Sequence, residues 1–374
     1  MPLEPVCVRA CLLSGPVSCP GRAARGIVPG MDTRAENEGG ALRLVQVGFG
    51  GWGRDWAARV RATPEVRVVG VVDAVPEAVR AAAKLYGLGD EACFTSLAAA
   101  LAGTDAEAVL ITAGAAAHAP LARSALEAGK HVLVEKPFAL ALSDAQTLVD
   151  AAEAGGLTLM VSQNYRFFPA AWTVRGLVAA GALGEIGSVY ADFRVDMAAR
   201  LPAGSPYFAL PDPLLLDMAV HHFDLMRFTL GGAASVNCAT WNPPGSPFAD
   251  APVANATVSL HSGATVAYRG SWLGAPPTFW SGLWRLEGSS GVLTWTGRNG
   301  FDLTGEQVTL NGREVPLAPL PDLSRTGRRG VLLEFVEAVR TGREPLSSGR
   351  DNLGTLALTL AAIASASGGR TVSL

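Results

Sequence analysis

The chain has 374 residues, room for two domains with separate cores, and about half of its residues are hydrophobic at a formal net charge of −3. The sequence carries no basic field of the kind that binds nucleic acid and no apolar run long enough to span a bilayer. Its five cysteines, three of them in the first 20 residues, show neither zinc-site spacing nor a disulfide framework, so a reducing cytoplasm is the expected compartment. Lysine is scarce: 27 arginines stand against three lysines, Lys84, Lys130 and Lys136, so each lysine position invites a reason.

Residues 1–41 carry Pro, Gly and Arg without helical or strand period and lack the composition of a secretory signal. They read as a disordered leader or as upstream sequence included by a misplaced start, with Met31 an alternative initiator. Residues 42–47 form a short apolar run suited to a buried parallel strand. Gly48-Phe49-Gly50-Gly51-Trp52-Gly53 follows it at the spacing G-x-G-x-x-G. Gly48 allows a tight turn, Gly50 a close approach of backbone to a pyrophosphate, and Gly53 close helix–strand packing. A helix opening near Trp52 aims its N–H groups and positive dipole end at the phosphates. A second strand over 66–72 ends in Asp73, which can accept hydrogen bonds from an adenosine ribose. Its charge repels a 2′-phosphate, so NAD is the expected cofactor and NADP the alternative.

To about residue 163, apolar strands (108–113, 131–135, 157–162, and a weaker one near Cys93) alternate with helices at 76–86, 120–128 and 143–154, the pattern of a parallel α/β sheet. Ser143-Asp144-Ala145-Gln146 has the form of a capping box. Ligands of such sheets collect at the carboxyl ends of strands, which singles out Thr112 to His118 and Glu135-Lys136-Pro137. The second half changes texture. A helix at 169–180 leads to an alternating strand at 185–195, and a helix at 217–230 to strands at 257–261, 266–272, 283–287 and 292–295. Helices at 330–340 and 351–366 close the chain. This half reads as a mixed or antiparallel sheet with helices on one face.

Three groups could carry chemistry. Lys136 ends a buried strand ahead of a proline and projects toward the nicotinamide end of the expected site, where partial desolvation suits proton exchange. The bland alternative is a surface lysine after a strand. Asp217 and His221 stand at i, i+4 on one helix; a carboxylate beside an imidazole can orient it as a base, although structural Asp–His pairs of this spacing are common. Arg166, in Asn164-Tyr165-Arg166, could reach substrate or form an interdomain ion pair, and His118 could face the cofactor or cap a helix. His221 and His222 diverge by about 100° on a helix, and no third ligand is placed, so no metal is expected.

Together GFGGWG at 48–53, EKP at 135–137 and DMAVHHFD at 217–224 resemble the Gfo/Idh/MocA family, which includes glucose–fructose oxidoreductase and inositol dehydrogenase. The likeness runs from Leu42 to the C-terminus. It implies an α/β Rossmann dinucleotide-binding domain (42–164) followed by an α+β domain (165–374) with an open-faced, mostly antiparallel β-sheet, pairing through that sheet into homodimers or homotetramers. It also implies a cofactor site built from Gly48, Phe49, Gly50, Gly51, Trp52, Gly53, Asp73, Thr112, His118, Glu135 and Lys136. Lys136, Asp217 and His221 are the implied catalytic groups, and with Arg166 they form the expected substrate contacts. Two stretches depart from the family pattern: Ala113 to His118 replaces a loop often containing Pro-Asn, and residues 211–216 replace a glycine-rich stretch. Both bear on substrate identity. The expected activity is NAD-dependent hydride transfer on a sugar, cyclitol or related polyol. A redox-neutral, NAD-using glycoside-cleaving enzyme and a non-catalytic nucleotide sensor are the alternatives.

Overall fold

The structure, a computed structural model, describes residues 40–297, 305–318 and 325–374, so the expected leader lies outside the described residues except for its last two positions. The first half alternates β1 (Leu42–Val47), α1 (Gly51–Arg61), β2 (Val66–Val72), α2 (Pro76–Tyr86), β3 (Cys93–Phe94), α3 (Leu97–Gly103), β4 (Ala108–Ile111), α4 (His118–Glu127), β5 (His131–Val134), α5 (Leu142–Ala154) and β6 (Leu159–Val161). All six strands pair in parallel in the order β3-β2-β1-β4-β5-β6. Burial on both faces explains why these strands read as continuous apolar runs. The order reverses between β1 and β4, and a crevice for a ligand opens there, at the carboxyl ends.

Two local expectations differ from the structure. Helix α3 lay in an alanine-rich stretch without amphipathic period; Ser96, whose Oγ accepts the Ala99 N–H, marks its start. The capping box at Ser143 does not form. Helix α5 begins a residue earlier, after Ala141, without a side-chain cap, and Gln146 instead donates to Asp150 at 2.7 Å.

The second half continues with α6 (Pro169–Ala179), β7 (Ile186–Arg194), a π-helical turn over Leu215–Ala219, and α7 (Val220–Leu230). Then come β8 (Ala233–Trp241), β9 (Val253–Leu260), β10 (Thr265–Ser271), β11 (Leu283–Gly288), β12 (Gly291–Trp295), β13 (Val308–Leu310), β14 (Arg313–Val315), α8 (Gly327–Thr341), α9 (Gly349–Gly368) and β15 (Val372–Ser373). Nine strands form one sheet, β14-β13-β12-β11-β7-β10-β9-β8-β15, antiparallel except for the β7–β10 pair. Buried and exposed residues alternate along β9 and β10, so one face packs on helices and the other stays open. Strand β8 escaped the sequence reading because its Ala, Ser and Asn positions dilute the alternation.

The last two helices return to the first sheet. Val331, Leu332, Phe335 and Val336 of α8 pack with Leu44, Trp56, Leu110 and Leu133. Helix α9 joins two cores: Leu356 packs with the α5 side of the first sheet, and Leu358, Ala361 and Ala362 with the second sheet.

Phe335 is fully buried in this seam. Phe335→Ala is expected to cost about 3–5 kcal/mol. Urea unfolding should register this as a lower midpoint whether followed by a probe in the first half of the chain or in the second.

Candidate active site

The glycine turn is held from below by its neighbours. Gly48 has φ +90, a region open to glycine, and a methyl there would lie 2.5 Å from the Ala113 amide nitrogen. Thr112 donates its hydroxyl to the Gly48 carbonyl at 2.6 Å, and Gln46 donates to the Gly53 carbonyl at 2.9 Å. At Gly50 and Gly51, by contrast, a methyl would meet nothing within 4 Å, and α1 starts without a side-chain cap. Uncapped amides beside open backbone suit an anionic diphosphate. Asp73 closes the turn: its carboxylate accepts the Phe49 N–H at 2.7 Å and the Val75 N–H at 2.9 Å. Trp52 is 45% exposed at the rim, and the Arg328 guanidinium lies over its ring at 4.4 Å.

Glu135, at the end of β5, is buried. Its Oε1 accepts from Trp56 Nε1 (2.6 Å), Arg328 Nε (3.1 Å) and Ser162 Oγ (3.2 Å), and Oε2 accepts the Lys136 N–H (3.1 Å). Burial by itself pushes this carboxyl upward. The charges of Arg328 and Lys136, with the hydrogen bonds from Trp56 and Arg328, outweigh it and leave Glu135 below its ordinary range.

Lys136 reaches from the first sheet to the π-helical turn. Its Nζ donates to the Asp217 backbone carbonyl at 2.7 Å and to Asp217 Oδ1 at 2.5 Å. The other carboxylate oxygen accepts from the hydroxyl of Tyr207 at 2.5 Å. The carboxylate of Asp217, on the π-helical turn, thus engages Lys136 and Tyr207. His221, in the first turn of α7, has its Nδ1 3.1 Å from Gln163 Oε1, just beyond β6, and its ring stacks on Tyr165 at 4.4 Å between centroids. Lys136, Asp217 and His221 therefore all lie where the carboxyl ends of β5 and β6 meet the start of α7.

Three expected contacts turn inward instead. Arg166 is a correction: it donates to both Asp224 oxygens at 2.7 and 2.6 Å and to the Leu346 carbonyl at 2.6 Å, and its NH2 lies 2.6 Å from Asp351. A guanidinium so enclosed is the ion-pair alternative, not a substrate contact. The Thr112 hydroxyl serves the glycine turn. His118 is buried, with Nδ1 2.7 Å from the Pro137 carbonyl and Nε2 3.0 Å from that of Ala113, so it ties two strand-end loops together. Burial lowers its pKa despite those carbonyls. Sequence reasoning missed Tyr207, Gln163, Trp56 and Arg328. Only Gln163 carried a signal, its place at a strand's carboxyl end.

Comparison with known proteins gives the family and the fold. Residues 42–163 match the model of the GFO/IDH/MocA oxidoreductase family, NAD-binding Rossmann fold, and residues 171–294 that of the GFO/IDH/MocA C-terminal domain. The chain is 30% identical to a D-apiose dehydrogenase of Paraburkholderia graminis over 359 residues, which cover 94% of this chain and 93% of that one. An inositol 2-dehydrogenase of Rhizobium meliloti is 28% identical, covering 89% and 99%. In fold, the crystal structure of an aldose–aldose oxidoreductase from Caulobacter crescentus superposes with a TM-score of 0.78 at 23% identity, covering 89% and 100%.

Glu135→Gln tests the buried hub, because it removes the buried one of the two carboxylates that Arg328 pairs with. At pH 7 the variant should be less stable by about 3–5 kcal/mol. A carboxyl held below its unfolded value of 4.5 stabilises the fold above that pH and stops doing so as pH falls through the lower folded value. Thermal melts from pH 7 to pH 3 should therefore show the gap between wild type and variant narrowing below about pH 4.5.

Proposed function

This chain belongs to the Gfo/Idh/MocA oxidoreductase family, and we propose that it transfers hydride between NAD and a hydroxyl or carbonyl carbon of a sugar, cyclitol or related polyol. The observation that carries this reading is the Lys136 ammonium, seated against Asp217 at 2.5 Å at the strand ends beside the glycine turn. The relatives named for apiose and inositol support the substrate class.

NAD, when bound, supplies the hydride acceptor for an alcohol or the donor for a carbonyl. Gly50, Gly51 and the first amides of α1 hold its diphosphate, and Asp73 holds the adenosine ribose. Lys136 donates a hydrogen bond to the substrate oxygen and stabilises the alkoxide character that develops there. His221 donates its Nδ1–H to Gln163, which sets the tautomer with the lone pair on Nε2, and that atom takes the hydroxyl proton. The stack on Tyr165 fixes the ring plane.

The division into a cofactor domain (42–164) and a substrate domain (165–374) follows the same reading. The open sheet face carries a shallow groove of about 500 Å³ lined by Tyr190, Asp192, Asn255 and Arg269 among others; a second copy on that face would give the homodimer or homotetramer of this reading. The enzyme acts in the cytoplasm, consistent with free Cys93 and Cys238.

The test is nicotinamide absorbance across a panel of cyclitols, aldoses and their oxidised forms, with NAD and NADP separately. One polyol should reduce NAD, and Lys136→Met and His221→Ala should each lower kcat by about 10²–10⁴-fold with NAD affinity retained. Bound NAD with no net turnover across the panel would point to redox-neutral chemistry or nucleotide sensing instead.

A further inference from the structure

Tyr207 lies outside every motif described above, on a short 3₁₀ turn, Pro206–Ala209, in the segment between β7 and the π turn. Ser205 Oγ caps that turn by accepting the Tyr207 N–H at 3.4 Å. The ring is wedged edge-on against Phe248 (6.2 Å between centroids) and Trp272 (6.1 Å), which fixes where the hydroxyl points. That hydroxyl meets Asp217 Oδ2 at 2.5 Å while Oδ1 holds Lys136. A carboxylate has two oxygens, and here each has one assigned donor. Burial, followed by the charge of Asp217, raises the phenol above its ordinary value, so Tyr207 remains a donor throughout the neutral range.

We infer that Tyr207 is a positioning residue: by anchoring one oxygen of Asp217 it keeps the other on the Lys136 ammonium, so the lysine points where the substrate oxygen must lie. The inference rests on the assignment of Lys136 and Asp217 to the reaction. A carboxylate anchored at one oxygen only can rotate about its side chain and leave the ammonium to water. The other titratable and charged groups near the pair include Glu135 with its partner Arg328, His118 across the loop, and His221 in the first turn of α7; none of the hydrogen bonds described for them runs through Tyr207.

Tyr207→Phe removes the hydroxyl and keeps the ring packing. Because the chain has only three lysines, acylation of Lys136 can be followed by peptide mass spectrometry against Lys84 and Lys130 as internal references. In the variant, Lys136 should react about three- to tenfold faster relative to those references, the range of one typical intramolecular hydrogen bond. Adding the substitution to Asp217→Asn should change nothing further, because the effect runs through Asp217. NAD affinity should be unchanged. If wild type turns over a polyol, kcat in Tyr207→Phe should fall by about tenfold, and its pH profile should shift where wild type and Asp217→Asn also differ. An unaltered Lys136 labelling ratio overturns the inference, even if activity is lost, since Tyr207 would then act on substrate directly. A wild-type protein that oxidises no polyol would sink the proposed function alone, for the labelling ratio still reads the positioning.

Discussion

A carboxylate buried at the end of a strand must be neutralised, and Glu135 is neutralised by groups from four parts of the chain. Trp56 comes from α1, Ser162 from just beyond β6, Arg328 from α8, and the Lys136 amide from the next residue. Desolvating such a charge costs several kcal/mol unless every lone pair finds a donor. The position of each donor is therefore dictated by one anion. Helix α1 carries the glycine turn, so the same anion sets the cofactor cradle against the strand that delivers Lys136. Arg328 extends the arrangement outward to Asp55 at 3.1 Å and to the face of Trp52. Without Glu135, cradle and lysine would have no common reference point.

Around that hub the site divides by origin. The first sheet contributes what every ligand of this class needs: open backbone at Gly50 and Gly51, an acid at Asp73 and a lysine at the rim. The second half brings to it the π turn bearing Asp217, the first turn of α7 bearing His221, and the segment bearing Tyr207. The π geometry has a local consequence. It widens the turn so that both the backbone carbonyl and the carboxylate of Asp217 face Lys136.

Most of the first sheet was legible in the sequence, since short apolar runs with glycine and helical stretches between them admit few other arrangements. The cofactor turn and Lys136 were legible for the same reason, as strand ends announce themselves. The partners were not. Lys136 and Asp217 are 81 residues apart, and Glu135 and Arg328 are 193 apart, distances over which periodicity carries no information. Arg166 was the instructive case. Its position after β6 suited a ligand contact, but the sequence could not show that Asp224 and the Leu346 carbonyl would surround it. The π turn that carries Asp217 was not legible either, since no propensity of Leu215 to Ala219 signals it.

The return of α8 and α9 to the first sheet has a bearing on how the protein comes into being. Residues 42–163 hold the whole six-stranded sheet, yet one of its flanks is covered by Phe335 and its neighbours, and the ion pair beneath the carboxyl end of β5 is completed by Arg328. During synthesis the nucleotide half therefore leaves the ribosome with an apolar flank bare and its buried acid without the arginine that pairs with it. It must wait for some 170 further residues, from 164 to Phe335, before both are covered. Such an intermediate is the kind that chaperones bind. Early termination in the final helices would thus deprive the cell of the cofactor-binding half as well, although every strand of that half had already been made.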